Sequence, residues 1–161
     1  MKLYIKQKIF SFKDKFNIFD EAGEAKYTAT GEIFTLGKKL HVTDTADNEV
    51  MFIRQRLLTF LPKYEIILGK AAPVEIVKKF TVFRHEYVIP QWNISIQGDF
   101  FAHEYEVFRG AVKIAHLSKA WFTFGDAYAI EIPNPDDELM TLAAILVVDC
   151  CMEAQNNAKH S

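Results

Sequence analysis

Five basic side chains recur at matched places in this 161-residue chain. Lys8, Arg56 and Lys78 each stand two residues ahead of a Phe or Leu, and Lys6 and Arg54 stand two residues earlier still. Gathered on one surface, such groups meet an anion, for instance the phosphate of a lipid head group, through charge-assisted hydrogen bonds. The same charges also have an ordinary use, because a charged outer face keeps strands soluble and unpaired. Glu32 holds the equivalent position in another part of the chain, which favours the solvated-face reading.

Other reactive residue types are present without the company that chemistry needs. His103 precedes Glu104, but no second histidine or spaced cysteine pair accompanies them, so a structural strand histidine is expected rather than a metal ligand. Cys150 and Cys151 are adjacent and cannot staple distant segments; a thiol in or at the end of an apolar helix is expected to pack inertly. Asp149 directly follows an apolar run. It reads as the point where a helix emerges from the core, the alternative being burial against Arg84, Arg109 or a tyrosine hydroxyl. Glycine-rich phosphate loops, nucleophile elbows and serine–lysine motifs are absent. No catalytic, cofactor-binding or metal-binding residue is assigned, and a non-enzymatic protein is expected.

Composition narrows the classes further. Half the residues are hydrophobic and 14% aromatic, which excludes a disordered chain. A formal charge of −2 argues against a nucleic-acid binder, so Trp92, Trp121 and the 14 Phe are expected in the core rather than on a base-stacking platform. The opening residues lack the apolar segment of a signal peptide, and the cysteines imply a reducing, cytoplasmic compartment.

The elements that position these residues follow from a degenerate repeat of about 21 to 24 residues. Phe10-Ser11-Phe12 with Phe16-Asn17-Ile18 is one copy. Others are Phe34-Thr35-Leu36 with Leu40-His41-Val42, Leu58-Thr59-Phe60 with Tyr64-Glu65-Ile66, and Phe122-Thr123-Phe124 with Tyr128-Ala129-Ile130. Phe80-Thr81-Val82 with Tyr87-Val88-Ile89 carries one extra residue, and Phe101-Ala102-His103 with Tyr105-Glu106-Val107 is shortened. Ahead of each motif the apolar period is two, as in Leu3 and Ile5 against Tyr4 and Lys6, which means a half-buried strand. The apolar parity then switches, which requires a turn or corner. Lys13-Asp14-Lys15, Gly37-Lys38-Lys39, Leu61-Pro62-Lys63 and Gly125-Asp126-Ala127 are the expected turns. Six two-strand units predict about twelve strands in an antiparallel meander over residues 1–133.

The last segment is different. From Leu139 to Val148 only Thr141 interrupts the apolar residues, so a helix over about 136–154 has no polar stripe and must be buried. Asp136 or Asp137 is the expected cap, after the strand-stopping Pro133 and Pro135. The run is too short to span a bilayer, which needs about 20 apolar residues. A closed barrel of about twelve strands leaves a hole its own side chains do not fill, and a helix is a fitting plug. The predicted fold is therefore one mainly-β domain over 1–161: a closed antiparallel barrel of about twelve strands enclosing a hydrophobic C-terminal helix. An open sandwich with a packed helix is the alternative.

An ordered set of short segments resembles the LURP-one-related family, of the tubby C-terminal-like fold group that also holds phospholipid scramblases. The segments are 4–11, Lys63-Tyr64-Glu65-Ile66, Phe101-Ala102-His103-Glu104-Tyr105, Lys119-Ala120-Trp121-Phe122 and the acidic turn before the apolar helix. The resemblance implies a twelve-stranded barrel around a hydrophobic helix. It transfers no ligand residues, because no tubby lipid-binding motif matches here and the scramblase cysteine cluster is absent. The expected function is binding of anionic phospholipid head groups through an outer basic face formed by Lys6, Lys8, Arg54, Arg56 and Lys78. The alternative is a structural or protein-interaction module without a lipid ligand. Nucleic-acid binding and a transmembrane span are not expected, and an edgeless barrel is expected to be monomeric.

Overall fold

The computed structural model describes residues 1–6, 15–32, 36–60, 63–80, 85–122 and 125–160. Twelve strands form six antiparallel pairs: β1 (Lys2–Lys6) and β2 (Lys15–Phe19), β3 (Ala25–Gly31) and β4 (Lys39–Thr43), β5 (Glu49–Arg56) and β6 (Lys63–Leu68). They continue as β7 (Val74–Phe80) and β8 (His85–Ile89), β9 (Ile94–Asp99) and β10 (Glu104–Arg109), β11 (Val112–Phe122) and β12 (Gly125–Glu131). Every strand pairs with its neighbours in sequence, and β1 pairs with β12 from Lys2↔Glu131 to Lys6↔Ala127, closing the barrel. The alternation read from the sequence sets the two faces. Leu3, Ile5, Met51 and Ile53 are buried, as are Phe16, Ile18, Tyr64 and Ile66 on the parity-switched partners. Of the expected turn residues, Lys15, Lys39, Lys63 and all of Gly125-Asp126-Ala127 belong to the following strands, while Lys13, Asp14, Leu61 and Pro62 lie outside the described residues.

The one α-helix among the described residues, α1 (Glu138–Lys159), has 22 residues and is about 33 Å long at 1.5 Å per residue. Residues 141–150 are buried without a break, so this part of the helix is enclosed on all sides. Leu142, Ile145, Leu146, Val147 and Val148 each contribute about 1.5–3 kcal/mol by burial. The helix runs past the expected residue 154. No helix among the described residues is long and apolar enough to cross a membrane.

One glycine is required by close approach. Gly98 lies opposite Tyr105, and a Cβ there would come within 2.6 Å of the Tyr105 Cα. Its absence lets β10 press against β9 while the Tyr105 ring is wholly enclosed.

The connections β2–β3, β4–β5, β6–β7, β8–β9 and β10–β11, with the entry to α1, lie at one end of the barrel. Asp20 Oδ1 accepts from the amides of Ala22 and Glu24 at 2.9 and 3.0 Å, and Asp44 Oδ1 accepts from those of Ala46 and Asn48 at the same two distances. These are side chains that stand in for backbone turn bonds. Ahead of α1, Asn134 caps the short 3-10 turn Pro135–Asp137, its side chain accepting from the Asp136 amide at 3.1 Å. Asp137, next to the first residue of α1, is buried and pairs with Arg109 at 2.6 Å. Glu138 joins Lys26 at 2.6 Å and accepts from the Tyr27 hydroxyl at 2.9 Å.

Candidate functional site

Odd-numbered strands run toward the other end, and even-numbered strands return from it. Lys6, Arg54, Arg56 and Lys78 all fall within the last three residues of β1, β5 and β7, so all four reach this same rim. Lys8 lies outside the described residues. The four share a rim but not a face. Lys6, Arg54 and Arg56 point outward. Lys6 is four strand positions from the two arginines, about 19 Å along the wall at ~4.8 Å per strand. Arg54 Nε meets Glu65 at 2.8 Å, Arg56 meets the same carboxylate at 3.2 Å, and Lys63 meets Glu75 at 3.4 Å. These carboxylates offset most of the expected outer basic patch. The two arginines are more than a third exposed, and such pairs contribute little stability.

Lys78 corrects the expected geometry. Val74 and Ile76 are buried, and Lys78 shares their inward parity, so it points into the mouth of the barrel rather than onto the outer face. Its ammonium donates to Gln155 Oε1 at 3.1 Å, and Gln155 donates in turn to the Tyr87 hydroxyl at 3.0 Å. An inner position can carry a lysine here because the plug has left its apolar stretch behind. Three strands away, just before β4, Lys38 meets Glu153 at 2.7 Å, so the helix exit is held to two parts of the wall.

A second property of this rim is that it is apolar where connections are normally polar. Leu36, Leu57, Leu58, Phe60, Phe101 and Trp121 are large apolar side chains exposed at this end. Trp121 was expected in the core and is 80% exposed: it shares the inward parity of Leu117, but it pairs with Asp126 near the end of β11, beyond the core and out at the rim. Leu58 and Phe60 are fully exposed, and Leu58 has a φ of +62°, a left-handed conformation that costs a branched residue free energy. Among the described residues, Val112 is the one large exposed apolar side chain at the opposite end. The missed signal was present in the repeat: Phe and Leu recur beside each turn, where turn chemistry alone favours polar residues.

Between the emerging helix and β7–β10 the rim contains a cavity of about 280 Å³. Lys78, His85 and Lys159 bring nitrogen donors to it, while Phe100, Phe101 and Met152 supply apolar wall. None of its described lining residues is a carboxylate. The Lys159 ammonium stands 5.6 Å from the Phe101 ring centroid, a cation–π approach. Burial holds the Lys78 ammonium below the ordinary lysine range; the Cys151 sulfur opposes this, and the positive charge of Lys159 adds to it. The Tyr87 hydroxyl, mainly through burial, is pushed up to about 12. A neighbouring cleft of about 490 Å³ shares His85 and Phe101, but Asp99 and Glu106 line it.

Deeper in, Asp149 does not mark the emergence of the helix. It is 4% exposed, and burial pushes its carboxyl well above the usual carboxylate range, with the nearby Glu153 adding to this and the Tyr105 hydroxyl opposing it. Of the partners considered for it, Arg109 serves Asp137, and Tyr105 is the residue that faces it. Burial raises Cys150 strongly and Cys151 to about 12, the state of inert thiols. His103 packs tilted against Tyr128 with ring centroids 4.6 Å apart, and Glu104 pairs with His116 at 2.6 Å rather than with its neighbour.

A closed twelve-stranded meander threaded by its own C-terminal helix defines a narrow class of barrel proteins. The sequence profile of the LURP-one-related family matches residues 1–149, and the chain belongs to that family. It is 35% identical over 149 residues to the uncharacterized protein YxjI of Bacillus subtilis (strain 168), covering 92% of each chain. An Arabidopsis thaliana protein of known X-ray structure has a similar fold, with a TM-score of 0.63 at 14% identity over 92% of this chain and 88% of that one.

Proposed function

We propose that this is a non-catalytic domain that docks on anionic membrane surfaces by its apolar rim, not by the side of the barrel. The observation that carries the reading is Leu58. A leucine that is fully exposed and held at positive φ is unfavourable for folding on both counts, and asparagine would suit the position better. Such local cost is expected where a surface is kept for binding. Leu58, Phe60, Phe101 and Trp121 provide side chains of the kind that enter the interfacial layer of a bilayer. Lys6, Arg54, Arg56 and Lys78 ring the same end, where each basic group near an anionic leaflet contributes about 1 kcal/mol, less where a carboxylate already pairs with it.

Co-sedimentation with vesicles tests the reading. The full chain is expected to pellet with mixed phosphatidylcholine–phosphatidylserine vesicles and to stay in solution with phosphatidylcholine alone. The double variant Leu58→Asn, Phe60→Asn is expected to remain folded and lose most of the binding. Equal pelleting by both proteins with both vesicles would sink it. A one-to-one protein complex that needs the rim, with no vesicle binding, would replace the membrane by a protein partner.

A further inference from the structure

The membrane reading leaves one exception at the rim unexplained. Arg56 and Lys78 bring positive charge to the ends of β5 and β7, but the matching residue, just past β3, is Glu32. Its carboxylate is not left bare. Two outward residues of the neighbouring strand β4 face it, Lys39 at 3.4 Å and His41 Nε2 at 2.6 Å. The other ring nitrogen of His41, Nδ1, meets Glu49 of β5 at 2.5 Å. The ring lies over Phe52 with centroids 4.6 Å apart. His41 is therefore clamped between two carboxylates, one on the rim side and one on the side of the helix entry.

A clamp of this kind requires a charged ring. A neutral imidazole has one N–H and one lone pair in either tautomer, so it donates to one carboxylate and turns a lone pair on the other. The imidazolium donates to both. Burial opposes the charge, but Glu32 and Glu49 outweigh it and hold His41 above the ordinary histidine range. His41 in turn holds Glu32 below the usual carboxylate range, against burial and with help from Lys39. Across on β5, Arg54 stands opposite Lys39 and is engaged by Glu65. The charges of Glu32, Lys39, Glu49 and the imidazolium sum to zero. Loss of the ring proton leaves the group with one net negative charge beside the rim.

We infer that His41 is a proton-operated control on docking by the rim. Protonated, it masks Glu32 and lets the rim approach an anionic surface; neutral, it leaves a carboxylate uncovered to repel that surface. This rests on the membrane reading and adds regulation to it, with docking favoured on the acid side.

Two measurements test the control and keep it apart from docking itself. In the first, the full chain is sedimented with phosphatidylcholine–phosphatidylserine vesicles at fixed ionic strength, from about pH 5.5 to about pH 9. Binding is expected to weaken about threefold as pH rises, the response to one charge near an anionic surface but not on it. His41→Gln is expected to bind as the parent does at the alkaline end, with no step. Glu32→Gln is expected to bind at least as tightly as the parent throughout and to shift the step to lower pH. Both substitutions lie on the outer wall, clear of the plug. In the second, the His41 ring is titrated by NMR without membranes. Its midpoint is expected above about 6.5 and should fall in Glu32→Gln. A midpoint at or below the ordinary value overturns the clamp, and a step of undiminished size in His41→Gln assigns the response to other groups. A raised midpoint with vesicle binding that is flat in pH overturns the control, and the membrane reading then stands on its own. A raised midpoint with no vesicle binding at any pH removes the membrane reading and the control with it.

Discussion

The two ends of this barrel are built by the same device and treated in opposite ways. One carries five hairpin connections and the helix entry, the other six hairpin connections. At the entry end, Asp20 and Asp44 satisfy the backbone of their turns, Asn134 caps the approach to the helix, and Arg109 answers the buried Asp137. Each choice there agrees with the fold. At the exit end, Leu58 is strained and wet, Phe60 is fully exposed, and Trp121 stands exposed past the core at the end of its strand. Where local choices disagree with folding at one end only, the disagreement marks the end under a second requirement.

Both ends hang on one core, and removing it should have the largest effect. Ala144→Asp places an unpaired carboxylate at a fully buried position in the middle of the plug. The domain is expected not to fold, seen as loss of a cooperative thermal transition; a stable monomeric variant would break the picture of a shared core. Next comes the entry end alone. Arg109→Ala strands the buried Asp137, and urea unfolding is expected to show a loss of about 2 kcal/mol, below the full cost of a stranded ion because Arg109 is itself partly exposed. Vesicle binding per folded molecule should be unchanged. A loss of binding would mean the ends are not independent.

A smaller effect lies between the ends, at Asp149. Its native carboxyl titrates well above its unfolded value of about 3.9, so the native state holds the extra proton in that interval. Stability contributed by this group therefore falls as pH rises from about 4 toward the native value. Asp149→Asn should flatten that decline and raise the melting temperature by a few degrees at pH 8, while leaving it nearly unchanged at pH 4. A variant that is equally destabilised at both pH values would show a hydrogen-bonding role instead. The smallest change in stability is expected at the exit end. Leu58→Asn should gain roughly 0.5–1 kcal/mol by relieving the left-handed leucine, yet weaken vesicle binding. A variant that is both less stable and an equal binder would remove the contrast between the ends.

The fold was largely legible because its rules are local. Period-two alternation placed Leu3 and Ile5 inside, the parity switch placed Phe16 and Tyr64 inside, and an apolar run without a polar stripe had to be the plug. The site was legible only in part. Basic residues were recognisable and do reach one rim, but analogy between units put Lys78 outside, whereas its own strand's parity with Val74 and Ile76 puts it inside. Trp121 was taken for core because large aromatic residues are usually buried. Asp149 was taken for the helix exit because a carboxylate after an apolar run usually meets water; here the wall of the barrel continues for several residues beyond it. Pairings across the wall, such as Arg54 with Glu65, depend on strand register, which composition does not encode.

The closing seam has a consequence for the order of assembly. The strand that completes the barrel, β12, joins β1 across more than a hundred residues, and the plug is synthesised after both. Eleven strands are complete, their apolar inner faces uncovered, before the final fifth of the chain has been made. Refolding is therefore expected on the millisecond-to-second scale of non-local β topologies. During translation the waiting sheet would be a client for chaperones, and its release would coincide with arrival of the helix.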